Sequence, residues 1–262
     1  MKIALIGNGA ISQFVQKALA DSDVALAALI VRSERLGSVD VSEGVKVVAA
    51  IQELASDVTH VVDCAGHAGL REHGAAALAS GRDVITVSIG ALADDVLLSE
   101  LEGAARAGNS RLHLASGAIG GLDALRAARA GDLGTVRYVG RKPPAGWKGS
   151  RAEEVLDLST QLTHPQIHFM GNARDAALAY PKNANVAAAV ALAGVGFERT
   201  EVELVADPGT ETNVHEIHAQ GDFGSFTFTI SGKTLPDNPR SSALAAMSVV
   251  AGILDASQPI GS

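Results

Sequence analysis

Cysteine is almost missing from this chain: Cys64 is the only one in 262 residues. An intramolecular disulfide framework is therefore excluded, and the usage fits a reducing compartment. Aromatic residues make up 3% of the sequence, so the core has to be assembled mainly from Ala, Val, Leu and Ile. Positive charge is outweighed, with 21 Lys and Arg against 29 Asp and Glu and a formal net charge of −8. A general nucleic-acid binder needs a basic face to displace phosphate counterions, and this balance argues against one. It leaves room for a small anionic substrate, because a pocket can be locally positive on an acidic protein. No stretch approaches the roughly 20 uninterrupted apolar residues that a membrane span needs. The opening run KIALI is broken at once by Gly7, Asn8 and Gly9 and does not read as a signal peptide. The expectation is a cytoplasmic protein with neither membrane nor nucleic acid as partner.

What is present is ordinary globular material, 47% hydrophobic with 28 glycines, in a chain long enough for two modest domains. The first part alternates short apolar runs with helix-like stretches. Strands are expected at 2–6, 24–31, 59–64, 82–88 and 111–116, with helices between them, the first over 10–20. Such alternation predicts an α/β domain built on a Rossmann-type parallel sheet. After GAIGGLDALRAARAG the character changes. TEVELVADP, NVHEIHAQG and GSFTFTISG are strand-like runs separated only by turn signals, which predicts a mainly antiparallel sheet in a second, α+β domain. The last stretch reads as a helix beginning at Asn238-Pro239. The expected division is 1–116 for dinucleotide binding, with 238–262 returning to it, and 117–237 for substrate and dimerisation.

Gly7 and Gly9 follow a strand and precede a helix, the context that gives this short motif meaning. The first permits a tight turn, and the second lets a pyrophosphate approach the backbone. The phosphate then rests on the helix N-terminus, opened here by Ala10 and Ile11. Ser12 takes the third glycine's place, where a small residue is enough for helix to pack on strand. An acidic residue at the end of the second strand would hold a ribose 2′-hydroxyl and repel a 2′-phosphate. That strand ends IVRSER, so Arg32 leaves the choice between NAD and NADP open. Cys64 ends a predicted strand and faces the region where ligands bind in parallel sheets; a small buried hydrophobe is the competing reading.

In the second half, SGAIGG places Ala118 in a glycine-rich loop between strand and helix. YPKNANVAAAVALAG sets Asn183 and Asn185 at the mouth of a helix apolar on every side, where they either cap it or bind a carboxamide. In NVHEIHAQG, strand alternation groups His215 with Ile217 and Ala219, and His218 with Glu216 and Gln220. His215 is thus the sheltered imidazole and the better acid/base candidate. His164 and His168 have the i, i+4 spacing of a metal pair, but no HExxH arrangement or ligand cluster accompanies them, and no metal is expected. The basic candidates for an anionic substrate are Arg141, Lys142, Lys182 and Arg240.

The ordered set GNGAIS, SGAIGGLDAL, GRKPP, YPKNANVAAAVALAG, ADPGTETNVHEIHAQG and DNPRSSALAAMSV resembles the L-aspartate dehydrogenase family from first strand to last helix. The resemblance implies an NAD(P)-dependent, reversible oxidative deamination of L-aspartate to oxaloacetate and ammonia through iminosuccinate. Amination would make aspartate, or supply iminoaspartate for NAD biosynthesis. It also implies a homodimer formed with the help of the second domain's sheet. By match to the family motifs, His215 is the catalytic acid/base, and Ala118 and Asn185 contact the cofactor. Lys142 and Arg240 are the side chains expected at the substrate carboxylates, with Asn183 beside them. Two rivals remain at this stage. One is a related dehydrogenase for another small amino acid or semialdehyde, and the other is a non-catalytic NAD(P)H-binding sensor.

Overall fold

Short apolar runs without alternation belong to strands covered on both faces. The first half of the chain uses them in that way in the computed structural model, which describes residues 1–260 except Lys182 and Asp237, and except the side chains of Pro239 and Arg240. The chain divides into two compact units, one of Met1–Gly117, Leu235–Ser241 and Ala245–Ser262, the other of Ala118–Thr234 and Ser242–Leu244.

In the first unit, β1 (Lys2–Ile6), α1 (Ala10–Ala18), β2 (Ala25–Ile30), β3 (Lys46–Val48), β4 (His60–Asp63), α2 (His67–Ala79), β5 (Asp83–Thr86), α3 (Asp95–Gly108) and β6 (Leu112–Leu114) follow one another. The strands form one parallel sheet in the order β3-β2-β1-β4-β5-β6. This is the doubly wound order, whose chain reversal lies between β1 and β4 and leaves a crevice at the strands' carboxyl ends. The three-residue β3 carries too few apolar residues to be read from sequence, and it was not expected. Ile3, Leu5, Val15, Leu29, Val62 and Ile85 build the core, an aliphatic packing in keeping with the shortage of aromatics.

The second unit contains α4 (Leu122–Ala128), β7 (Leu133–Lys142), β8 (Gln166–Asn172), α5 (Ala173–Ala179), α6 (Asn185–Ala193), β9 (Glu201–Ala206), β10 (Asn213–Gly221) and β11 (Gly224–Gly232). Its sheet runs β11-β10-β7-β9-β8. β10 pairs antiparallel with β11 and β7, and β8 with β9, but β9 lies parallel to β7. Only β10 and β11 form the simple hairpin expected from the turn signals. β9 is not β10's neighbour because β7 inserts between them.

β12 (Thr234–Leu235) and β13 (Asn238–Ser242) make a two-stranded ribbon, and α7 (Ala243–Ser257) closes the chain. The Asn238-Pro239 signal therefore opens a strand, and the helix begins at Ala243. Val249 and Ile253 of α7 join the first unit's core beside Ile3 and Leu5. Among the described residues no helix is long and apolar enough to cross a membrane.

Candidate active site

The turn after β1 answers to the glycines. Gly7 has φ +86°, and a Cβ there would meet the Cβ of Ala65 at 3.0 Å, so a side chain is refused by both conformation and space. At Gly9 a Cβ would meet nothing within 4 Å. That open ground lies over the first turn of α1, where the leading N–H groups lack helical partners. Ser12 is fully buried, and Gln16 donates to its hydroxyl at 3.2 Å. A cavity of about 420 Å³ opens over this turn, lined by Gly7, Gly9, Arg32 and Cys64 among others. Ala10 and Ile11 begin α1 beside it, with Ile11 also packed on the core. These residues fit a dinucleotide: backbone donors for a pyrophosphate, and no side chain in the way.

In the second unit the side chains converge from β7 and β10. His215 pairs across the ladder with Gly140, so Tyr138, Gly140 and Lys142 project to the same face as His215. The Tyr138 hydroxyl lies 2.8 Å from His215 Nδ1. The missing side chain at Gly140 makes this possible, since a Cβ there would stand 2.7 Å from that hydroxyl. His215 is 4% exposed. Burial and, secondarily, the charge of Lys142 bring its pKa down to about 4, leaving a neutral imidazole at pH 7.

Lys142 donates to Asn183 Oδ1 at 2.6 Å, and its Nζ lies 4.9 Å from the centre of the Trp147 ring. Among the described residues no carboxylate reaches it. Burial lowers its pKa to about 8. Below Trp147, whose indole N–H donates to the Val205 carbonyl at 2.9 Å, stands His168. This ring meets Trp147 edge-on at 4.3 Å, and its Nδ1 lies 3.1 Å from the Tyr180 hydroxyl. Its pKa is also about 4, lowered first by burial and then by Lys142.

Lys142, Asn183 and His215 are thus brought together. Asn183 spends its side-chain oxygen on Lys142 and does not cap α6, whose N-cap is Ala184. Asn185 is the first residue of α6, and Ala118 is buried in the loop before α4. The expected basic residue Arg141 points to the other face, paired with Asp207 at 3.2 Å and Glu216 at 3.8 Å. The Arg240 side chain and Lys182 lie outside the described residues. His164 precedes β8 and His168 is on it, so their helical spacing has no helix to act on. Among the described residues no group of three or more His, Cys, Asp or Glu is placed to hold a metal ion. Tyr138, Trp147, His168 and Tyr180 were not anticipated. For Tyr138 the signal existed: reading YVGRK as strand puts Tyr138, Gly140 and Lys142 on one face.

A doubly wound nucleotide-binding unit and a second unit presenting a buried imidazole beside an unneutralised lysine define a nicotinamide-nucleotide-dependent oxidoreductase. A family model described as "Homoserine dehydrogenase, NAD binding domain" matches residues 5–115, and one described as "Aspartate dehydrogenase, C-terminal" matches residues 123–256. L-Aspartate dehydrogenase of Ruegeria pomeroyi is 56% identical over 97% of this chain and 91% of its own length. That of Ralstonia pickettii is 44% identical over 95% of each. The crystal structure of aspartate dehydrogenase from Thermotoga maritima superposes with a TM-score of 0.78 at 27% identity, covering 99% of this chain and 98% of the other. The chain belongs to the L-aspartate dehydrogenase family.

Proposed function

We propose that this chain catalyses the NAD(P)-dependent, reversible oxidative deamination of L-aspartate to oxaloacetate and ammonia, with residues 1–116 binding the dinucleotide and 117–237 the substrate. One observation in the second unit carries the substrate assignment: Lys142 is a half-buried cation whose only hydrogen-bond acceptor among the described residues is a neutral amide. Buried charges are normally paired. A substrate carboxylate supplies the missing counter-ion, and Lys142 with Asn183 receives it. Arg240 is assigned to the second carboxylate by its place in the DNPRSS stretch. Ala118 and Asn185 are assigned to the cofactor.

When bound, the nicotinamide accepts hydride from the substrate Cα. The protein's part is to move protons and hold the acid. In the tautomer whose Nδ1–H donates to the Tyr138 oxygen, His215 keeps a free lone pair on Nε2. That atom first takes a proton from the substrate ammonium, which must be neutral before hydride can leave. That proton passes to solvent, and the neutral Nε2 then takes one from the water that attacks the imine carbon of iminosuccinate and returns it to the departing amine. An imidazole with a pKa near 4 is a weak base. Burial is the larger cause of that depression, and a carboxylate beside Lys142 offsets the smaller part due to the lysine charge, so substrate binding raises His215 part of the way toward the ordinary histidine value.

The test follows nicotinamide absorbance with oxaloacetate and ammonium, using NADH and NADPH separately. Oxidation that requires both substrates is the expected result. Tight cofactor binding without such oxidation would favour a sensor, and faster turnover of glutamate or homoserine would favour a related dehydrogenase. We further propose a cytoplasmic homodimer, as the family resemblance implies. A sedimentation mass of one chain would rule the dimer out.

A further inference from the structure

The turn after β2 carries two arginines where an adenosine ribose is read, and we propose that they make this chain bind NADPH in preference to NADH through the 2′-phosphate. Arg32 and Arg35 both line the cavity over the Gly7–Gly9 turn. Residues Ser33–Arg35 form one turn of 3-10 helix after Arg32, closed by the Arg35 N–H donating to the Arg32 carbonyl at 2.8 Å. Arg32 precedes the turn in extended conformation and Arg35 closes it, and both reach the lining of the same cavity. The Arg35 guanidinium has no hydrogen bond or ion pair among the described residues, and that of Arg32 meets only Glu34 at 3.5 Å on the exposed surface.

An NAD-selective site needs a carboxylate at the end of this strand to accept the 2′-hydroxyl. Here Ile30 ends β2 and Val31 is buried. The next side chain is Arg32, and Glu34 is not among the residues lining the cavity. Besides Cys64, the other ionisable side chains lining it are Glu72 and His73 of α2, with Glu72 Oε1 3.8 Å from His73 Nε2. Two forked cations on one turn suit a phosphate dianion, whose oxygens accept paired N–H donors.

The inference rests on the cavity being the dinucleotide site, and binary binding measurements separate the two. NADPH and NADH are titrated by nucleotide fluorescence, and 2′,5′-ADP and 5′-AMP are used to displace NADH. The native chain should bind NADPH at least about tenfold more tightly than NADH, and 2′,5′-ADP should compete at concentrations where 5′-AMP does not. In the Arg32→Ala/Arg35→Ala double variant, NADPH should lose most of this advantage, with NADH weakened by no more than about threefold. Glu34→Gln, which frees Arg32, should move the ratio further toward NADPH. Equal affinities in the native chain would overturn the proposal, as would a double variant that loses both nucleotides equally. A native chain that binds neither nucleotide would overturn the cavity assignment as well.

Discussion

The two faces of the second unit's sheet treat charge in opposite ways. On one, Arg137 pairs with Glu203, Arg141 with Asp207 and Glu216, and His218 lies 3.4 Å from Glu216. On the other, Lys142 lies half-buried against Trp147 with an amide as its acceptor, and His215 is held neutral. The same strands, β7 and β10, supply both faces, so backbone geometry does not explain the contrast. The outer face is complete within the chain. The inner face is one negative charge short, and this shortage marks it as a place for an anion.

Breaking the inner face at its reactive atom should have the largest effect. His215→Ala is expected to lower kcat by about 10²–10⁴, with NADH binding by fluorescence still measurable. Turnover close to native in that variant would remove His215 from the mechanism.

Lys142→Met comes next, removing the charge while keeping an unbranched stem. The aspartate KM should rise about 10²-fold, the loss of one charge-assisted carboxylate contact. The pH profile gives a second readout. In the native enzyme kcat/KM should require neutral His215 and charged Lys142, so it should fall on the acid side near the lowered histidine pKa and on the alkaline side near 8. Without Lys142 the alkaline limb should disappear, and the acid limb should move up part of the way, burial still holding His215 below the ordinary histidine value. An unmoved acid limb would mean that the lysine charge does not act on His215.

These arguments use features of unequal legibility. Glycine spacing after KIALI and the alternation in NVHEIHAQG were readable because turn chemistry and strand periodicity are local. The insertion of β7 between β9 and β10 was not, since strand order is set by long-range pairing. The same holds for the site. His215 could be picked out by its face, but its partner Tyr138 lies 77 positions away in sequence. Trp147 and His168 meet through packing that no spacing records. The i, i+4 spacing of His164 and His168 has meaning only on a helix, and His168 is on a strand.

A smaller change tests how His215 is aimed. Gly140→Ala would press a methyl group against the Tyr138 hydroxyl at 2.7 Å and against Leu204 at 3.1 Å. Tyr138 is 1% exposed and has little room to yield. The expected cost is about 1–3 kcal/mol of stability and roughly a tenfold loss of kcat, with the aspartate KM less affected. Adding Tyr138→Phe removes the clashing oxygen and should restore much of the stability without restoring kcat. If the double variant recovered both, the hydroxyl would be packing material only.

The smallest effect belongs to the outer face and sharpens the contrast most. Arg137→Met cuts an ion pair between a half-exposed arginine and the buried Glu203, and its cost should fall on stability alone, with aspartate turnover preserved. Lys142→Met should do the reverse, raising stability while damaging affinity, because burial disfavours the charged lysine. The sign follows from linkage. The folded pKa is about 8 against an ordinary 10.5. Between these values the unfolded chain holds a proton that the folded chain has released, so Lys142 makes stability rise with pH across that window. Below pH 8 the full penalty, on the order of 3 kcal/mol, is present. The difference in unfolding free energy between variant and native chain should therefore be largest at neutral pH and shrink from pH 8 to 10.5. A Lys142→Met variant less stable than the native chain at pH 7 would show that the lysine already has its counter-ion within the fold, and the inner face would then have no anion to seek.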